Sequence, residues 1–343
     1  MKKVRAEIHL GSIRNNAKAW KTVTKTKLCA VVKANAYGHG AEEVVFALSD
    51  IADCFAVALV DEGLQIRQAA CGKDILVFSP PITEAEAYAL AVNGFIASVP
   101  DLWTARLIAK TCERHRLIAR VHLKVNTGMN RYGMNPFMLG KVCRFLQNEP
   151  CVQVEGLYSH LYDTERQTAY AQRALFMQMQ RICKGYFPSF ISHLGATYGA
   201  TLGKDFAFDM VRVGLGLYGY APTKTDMPLQ KGMTVYSTVA CNRKYAFGGV
   251  GYGKATPSGE RIALVRGGYA DGFLRKKENG TLGCEQNANN LCMDVCLRTG
   301  KQPRGKRVYL LTDAEQTAEE TGTIAYEVLC AATRRAERVY DYE

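Results

Sequence analysis

The chain has 343 residues, 48% of them hydrophobic and 22% charged, with a formal net charge of +12. That length points to one large domain with a smaller companion, and the composition is that of an ordinary globular protein. No apolar run reaches the roughly 18 residues of a membrane span, the first residues lack the apolar stretch of a signal peptide, and basic residues stand in pairs such as Lys276-Lys277 rather than in a nucleic-acid-binding patch.

In chain order, residues 5–10 read as a short strand with Ser12 as the cap of a following helix, a segment able to pack on a later part of the chain. Eight strand candidates follow, at 28–33, 54–60, 75–79, 94–98, 119–125, 152–159, 189–193 and 210–218. Amphipathic stretches at 42–49, 62–70, 83–92, 102–116 and 165–184 lie between them. Alternation over about 220 residues predicts an α/β protein built on a (β/α)8 barrel. No GxGxxG follows an early strand, which argues against a dinucleotide-binding sheet. Pro222 and Pro228 mark a boundary that divides the chain into 1–228 and 229–343. Beyond it, runs at 233–247, 261–266, 291–297 and 307–312 predict a mostly-β second domain with one helix near 318–332. The twelve cysteines form no CxxC pair and read as reduced thiols in a cytoplasmic protein. Cys284, Cys292 and Cys296 fit no zinc spacing, so no metal site is expected.

The candidate chemistry collects at the ends of the barrel strands, the face on which barrel enzymes assemble active sites. Lys33 closes the first strand and precedes Ala34-Asn35-Ala36-Tyr37-Gly38-His39-Gly40. A lysine desolvated there has a depressed pKa and forms a Schiff base with an aldehyde cofactor. Arg131 follows the fifth strand, His160 ends the sixth, Thr197 follows the seventh, and Arg212 to Leu215 lies on the eighth. The loops after strands seven and eight are the usual phosphate cradle, and Gly195, Gly199, Gly214 and Gly216 there permit close approach to an anion.

The string AVVKANAYGHG at 30–40 closely resembles the pyridoxal-phosphate (PLP) lysine motif of the alanine racemase family. The resemblance extends, in the family's order, through HLKVNTGMNR at 122–131, GLYSH at 156–160, VRVGLGLYG at 211–219, GYG at 251–253, GYADG at 268–272 and CMD at 292–294. It implies a PLP-dependent racemase of alanine and serine, a homodimer whose active site is shared between subunits, supplying D-amino acids for peptidoglycan precursors. It implies that Lys33 holds PLP and works on one face of the substrate Cα, with Tyr252 of the other subunit on the opposite face. A hydrogen-bond chain would run from Tyr252 through His160 to Arg212, which faces the pyridine nitrogen. Tyr37, Thr197, Gly214 and Leu215 match the phosphate-binding positions, Arg131 and the backbone of Met293 the substrate carboxylate, and Lys124 a lysine often carbamylated in the family.

The chain departs from the family's pattern at Asn126, where aspartate is usual, and at Ala196-Thr197, where Asn-Ser is usual. The stretch around 333–338 aligns with a segment that carries a tyrosine near the cofactor in ordinary alanine racemases, and it holds none. That absence predicts tolerance of serine, as in the racemase domain of vancomycin-resistance proteins that follows a membrane domain. A PLP-dependent decarboxylase of the same barrel and a non-catalytic PLP-handling barrel protein are the alternatives. The first pairs the ring nitrogen with a carboxylate; the second has no second domain.

Overall fold

The computed structural model describes residues 4–223, 225–244, 261–275 and 291–343. The first strand, β1 (Arg5–His9), leads directly into the helix Leu10–Thr24. The helix starts two residues before Ser12, and His9 stands at its cap position without a side-chain cap. Eight strands then follow: β2 (Lys27–Val31), β3 (Cys54–Val57), β4 (Asp74–Val77), β5 (Ile96–Val99), β6 (Ala119–Lys124), β7 (Val152–Tyr158), β8 (Ile191–His193) and β9 (Met210–Val213). They pair in parallel, in the order β8-β7-β6-β5-β4-β3-β2-β9. The seam between β8 and β9 is bridged by Asp209 N to Ser192 O at 3.0 Å and Arg212 N to Gly195 O at 2.9 Å. The sheet is therefore a nearly closed (β/α)8 barrel. β2 to β5 are buried along almost their whole length, which is why each reads as a continuous apolar run rather than an alternating one.

Local signals start several of the helices that wrap the barrel. Thr83 and Glu86 cap Glu84–Val92 reciprocally. Asp101 accepts from Thr104 N at 2.7 Å ahead of Leu102–His115. Asn135 caps Pro136–Leu146 with proline at its first turn, a helix absent from the sequence reading although its start carries the expected Asn-Pro signal. After β9 the expected strand 210–218 stops short. Gly214 breaks it, and Leu215–Tyr218 forms a 3-10 turn under the first helix. Gly216 is required there, because a Cβ would lie 2.6 Å from Trp20 Nε1.

The second sheet holds β10 (Met233–Lys244), β11 (Arg261–Arg266), β12 (Val295–Thr299), β13 (Arg307–Leu311) and β14 (Glu337–Asp341). Its order is β12-β11-β10-β1-β14, with β13 also on β10, so the first strand of the chain is an interior strand of this sheet. The expected helix 318–332 is two helices, Ala314–Thr321 and Ala325–Ala332, separated at Gly322, whose φ of 71° ends the first. Gly38 and Gly272 both approach the second of these helices, at the carbonyls of Leu329 and Ala331, so that it lies against the segment following Lys33.

Trp20 is fully buried between the barrel and its first helix. Trp20→Ala should destabilise the protein by about 3–5 kcal/mol, the usual cost of emptying a large aromatic site. Urea unfolding measures this, and a loss below about 1 kcal/mol would mean that the helix is not anchored through Trp20.

Candidate active site

Lys33 lies just past the end of β2, half-buried. The four residues after it, Ala34, Asn35, Ala36 and Tyr37, have φ of 52–54°, one turn of left-handed helix. Such a turn costs L-residues roughly 1–2 kcal/mol each, so its surroundings must hold it. Glu62 accepts from Ala34 N at 2.7 Å. Asn35 Oδ1 accepts from Ala41 N at 2.7 Å. The buried His39 donates from Nδ1 to Ala36 O at 2.9 Å, and Arg338 Nε donates to Gly38 O at 2.7 Å. Burial and the nearby Arg131 lower the pKa of the Lys33 amine, while Glu62 and Cys330 oppose them.

The turn places Tyr37 inward, with its hydroxyl over Gly214, where a Cβ would lie 2.5 Å from it. Thr197 stands beside the same segment and accepts from Gly216 N at 3.2 Å. Tyr37, Thr197, Gly214 and Leu215, the four expected phosphate positions, thus meet in one buried corner after β8 and β9. The corner is tiled by Tyr218 and Tyr326, whose rings stand 5.0 and 5.9 Å from that of Tyr37.

Arg212 is only 3% exposed and no carboxylate bonds to it among the described residues. It donates to the carbonyls of His193, Leu194 and Ser159 and to His193 Nδ1 at 2.8 Å. Since Nδ1 accepts, His193 carries its proton on Nε2 and donates to His122 Nδ1 at 2.9 Å. Tyr158 stacks flat on His193 at 5.0 Å and bonds Ser98 through its hydroxyl at 2.6 Å. Gly156 leaves room for the His122 ring, where a Cβ would lie 2.5 Å away. Burial lowers the Arg212 pKa to about 10, still charged at neutral pH. Burial, then the Arg212 charge, pushes His193 and His160 well below the usual imidazole range.

The expected bond between His160 and Arg212 is replaced here by one between His193 and Arg212. Arg212 reaches the carbonyl of Ser159 immediately before His160, and His160 itself sits among the charges of Arg212, Lys124, Arg131 and Lys33. Tyr252 lies outside the described residues. Arg131 is exposed in the loop after β6, shaped by Asn126, which accepts from Gly128 N and Asn130 N. Lys124 is buried, with Nζ bonded to Val125 O at 3.1 Å and held 5.1 Å over the Tyr158 ring. Met293 stands exposed in the turn before β12, part of the second sheet.

Two site residues were missed by the sequence reading. His193 was seen only as the end of a strand, because nothing local marks a histidine that bonds an arginine 19 positions on. Tyr326 was not singled out, and its ring stands 5.9 Å from that of Tyr37. It enters from the helix before 333–338, while Thr333 faces Gly38 and Arg338 instead.

A barrel whose mouth combines a desolvated lysine, an anion corner and a buried arginine has the parts of a PLP enzyme. Residues 8–222 match the family model described as alanine racemase, N-terminal domain, and residues 232–340 match alanine racemase, C-terminal domain. The chain is 33% identical to an alanine racemase of Lactobacillus delbrueckii subsp. bulgaricus, covering 98% of this chain and 97% of the relative. Among solved structures it superposes on alanine racemase of Clostridium difficile with a TM-score of 0.91 at 29% identity, covering 99% of this chain and 96% of the other. Alanine racemase of Bartonella henselae, solved with covalently bound pyridoxal phosphate, gives a TM-score of 0.87 at 26% identity, covering 99% and 100%. The chain belongs to the alanine racemase family.

Burial, then the charges of Arg212 and Arg131, lowers the Lys124 pKa to about 7. An unfolded lysine titrates near 10.4, so between about pH 7 and 10.4 the unfolded state binds the extra proton and stability rises with pH. Below about 7 both states are protonated and the full penalty for the buried cation remains. In CO2-depleted buffer, urea midpoints should therefore rise from pH 7 to 9 in the wild type and more weakly in Lys124→Met. Equal slopes would show that no free amine titrates at Lys124.

Proposed function

We propose that the chain interconverts L- and D-alanine with PLP on Lys33, as a cytoplasmic homodimer that supplies D-alanine for peptidoglycan precursors. The observation that carries this reading is the convergence at one barrel mouth of the Lys33 amine, the corner of Tyr37, Thr197 and Gly214, and the buried Arg212. These residues fit the cofactor. Backbone without side chains at Gly214 and Gly216, beside two hydroxyls, suits a phosphate group, and an amine whose pKa is lowered suits an aldehyde.

When bound, PLP draws electron density from the substrate Cα and so acidifies its proton. The chain's own residues do the rest. Tyr37 and Thr197, with the backbone at Gly214 and Leu215, hold the phosphate. Arg212, charged at neutral pH and without a proton to give, would stand toward the ring nitrogen of the bound cofactor, where it would keep electron withdrawal moderate and favour proton return over transamination. Lys33 moves the proton on one face of Cα, and Tyr252 of the second protomer serves the other. Arg131 and the backbone N–H of Met293 hold the carboxylate; exposure of both suits a site completed across a dimer. Lys124, with a pKa near 7, carries a neutral amine able to take up CO2. Carbamylation would replace an amine that repels Arg131 when protonated by an anion that orients it.

A decarboxylase reading requires a carboxylate in the place of Arg212. A PLP-handling barrel protein would lack the second sheet. Borohydride reduction of PLP-loaded protein should leave a pyridoxyl adduct on Lys33, found by peptide mass. Lys33→Ala should lose about 10²–10⁴-fold in racemisation, the range for a general acid–base group, without unfolding. An adduct on another lysine, or full activity in that variant, would refute the reading. Tyr252→Phe should lower racemisation strongly while PLP binding persists.

Serine turnover keeps its sequence-based support, because 333–338 holds no tyrosine and Tyr326, its ring 5.9 Å from that of Tyr37, stands beside the phosphate corner. Alanine should be racemised and serine accepted, with a preference for alanine in kcat/KM of no more than about a hundredfold, the discrimination of a site not built to exclude one hydroxyl. A preference above roughly a thousandfold would overturn serine turnover.

A further inference from the structure

We propose that Glu62 is a positioning residue for Lys33: its carboxylate anchors the left-handed turn that starts at the lysine and supplies the negative charge the amine faces. This rests on the reading of Lys33 as the cofactor lysine.

Glu62 lies in the first turn of the helix Val60–Ile66, which follows β3. Its Oε2 accepts from Ala58 N at 2.7 Å and Leu59 N at 3.1 Å, the ordinary way a glutamate folds back on the start of its own helix. Capping needs no more than that oxygen. The other oxygen, Oε1, reaches across to Ala34 N at 2.7 Å. That N–H belongs to the peptide bond formed by the Lys33 carbonyl. It is also an orphan donor, because the turn's own bonds begin with Ala36 N to Val32 O. One carboxylate thus ties the β3 loop to the lysine's peptide by charge-assisted bonds, roughly twice as strong as neutral ones. Asn35, His39 and Arg338 hold the far side of the turn. Glu62 is the anionic member of this set and the one bonded to the lysine's own peptide.

The charges around the amine agree with the geometry. Arg131 faces Lys33 from the loop after β6, His160 from the end of β7 and Cys330 from the helix Ala325–Ala332. Burial and Arg131 lower the lysine pKa, and Glu62 is the foremost group opposing them. Without its charge the amine titrates lower and the turn loses one holder. Glu62→Gln keeps the size but offers a single acceptor oxygen, so either Ala34 N or the Ala58–Leu59 pair is abandoned. Glu62→Asp keeps the charge.

The test compares wild type, Glu62→Gln and Glu62→Asp in three measurements. These are the titration of the Lys33 amine in protein stripped of PLP, followed by ¹³C-methyl labelling; kcat and KM for alanine in reloaded protein; and the thermal midpoint. Glu62→Gln should titrate at lower pH and lose on the order of ten- to a hundredfold in kcat, the cost of a reacting group displaced by up to about 1 Å, with KM changed far less. Glu62→Asp should restore the titration midpoint. A Glu62→Gln variant that titrates as wild type and keeps its kcat within about twofold overturns the proposal whatever its thermal midpoint, since a residue that only caps its helix behaves that way. If Glu62→Gln does not fold, the Ala34 amide of the wild type decides. Exchange with solvent as slow as other bonded amides supports the anchor, and exchange at the free-peptide rate removes it. Absence of a pyridoxyl group on Lys33 in reduced wild type defeats the cofactor reading first, whereas its presence with an unaffected Glu62→Gln defeats this inference alone.

Discussion

The buried guanidinium of Arg212 is the constraint around which the barrel interior is built. A cation 3% exposed, with no carboxylate bonded to it among the described residues, is costly, because its desolvation must be offset by well-made hydrogen bonds. The end of β8 supplies them: the carbonyls of His193 and Leu194 turn inward together with the Ser159 carbonyl from the end of β7. The same charge dictates the state of its neighbours. His193 must present a bare Nδ1 to the guanidinium, which fixes its tautomer and passes a donor on to His122. Both histidines stay neutral, His122 with a pKa lowered to about 3 chiefly by burial. Tyr158 lies with its π-face toward Arg212, Lys124 and His193 at once, an economical way to place polarisable negative density among cations.

A second constraint acts on the opposite side of the mouth. Four consecutive non-glycine residues in left-handed conformation are unfavourable on their own, and they follow the lysine because that path swings Tyr37 back over Gly214. A right-handed turn would send the tyrosine elsewhere and separate the amine from the anion corner. Asn35 and His39 hold this strain from within the segment itself, and Glu62 from the helix Val60–Ile66 and Arg338 from beyond the helix Ala325–Ala332 hold it from elsewhere in the chain.

These two constraints explain which parts of the molecule can be read from sequence. The barrel strands show because burial on both faces demands continuous apolar runs, and capped helices show because Thr83 and Asp101 announce them. β9 misleads, because Val211-Arg212-Val213-Gly214-Leu215-Gly216-Leu217 keeps an apolar pattern through a backbone that has already turned at Gly214. β14 is silent because its partner, β1, lies some 332 positions earlier, as the Arg5–Glu337 pair records. The residues marked by motifs, Lys33, Tyr37, Thr197 and Arg212, meet at one mouth. What the motifs leave unassigned is the supporting layer, His193, Tyr158 and Glu62, whose roles exist only in relation to residues far away in the chain.

The second sheet is coupled to this mouth rather than merely attached to it. β1 belongs to that sheet while the helix after it belongs to the barrel wall, so neither part can shift without pulling the other through His9. On the far side, the helix Ala325–Ala332 presses its Leu329 carbonyl toward Gly38 and brings Tyr326 and Cys330 to the Lys33 turn. A Cβ at Gly38 would meet that carbonyl at 2.5 Å, and φ of 85° already demands glycine there. The wall beside the Lys33 turn therefore depends on the packing of the helix Ala325–Ala332. A change at Tyr326 alters the aromatic wall directly. A change at Leu329 or Thr333, both packed near Gly38, alters it by tilting the helix and moving Tyr326 with it.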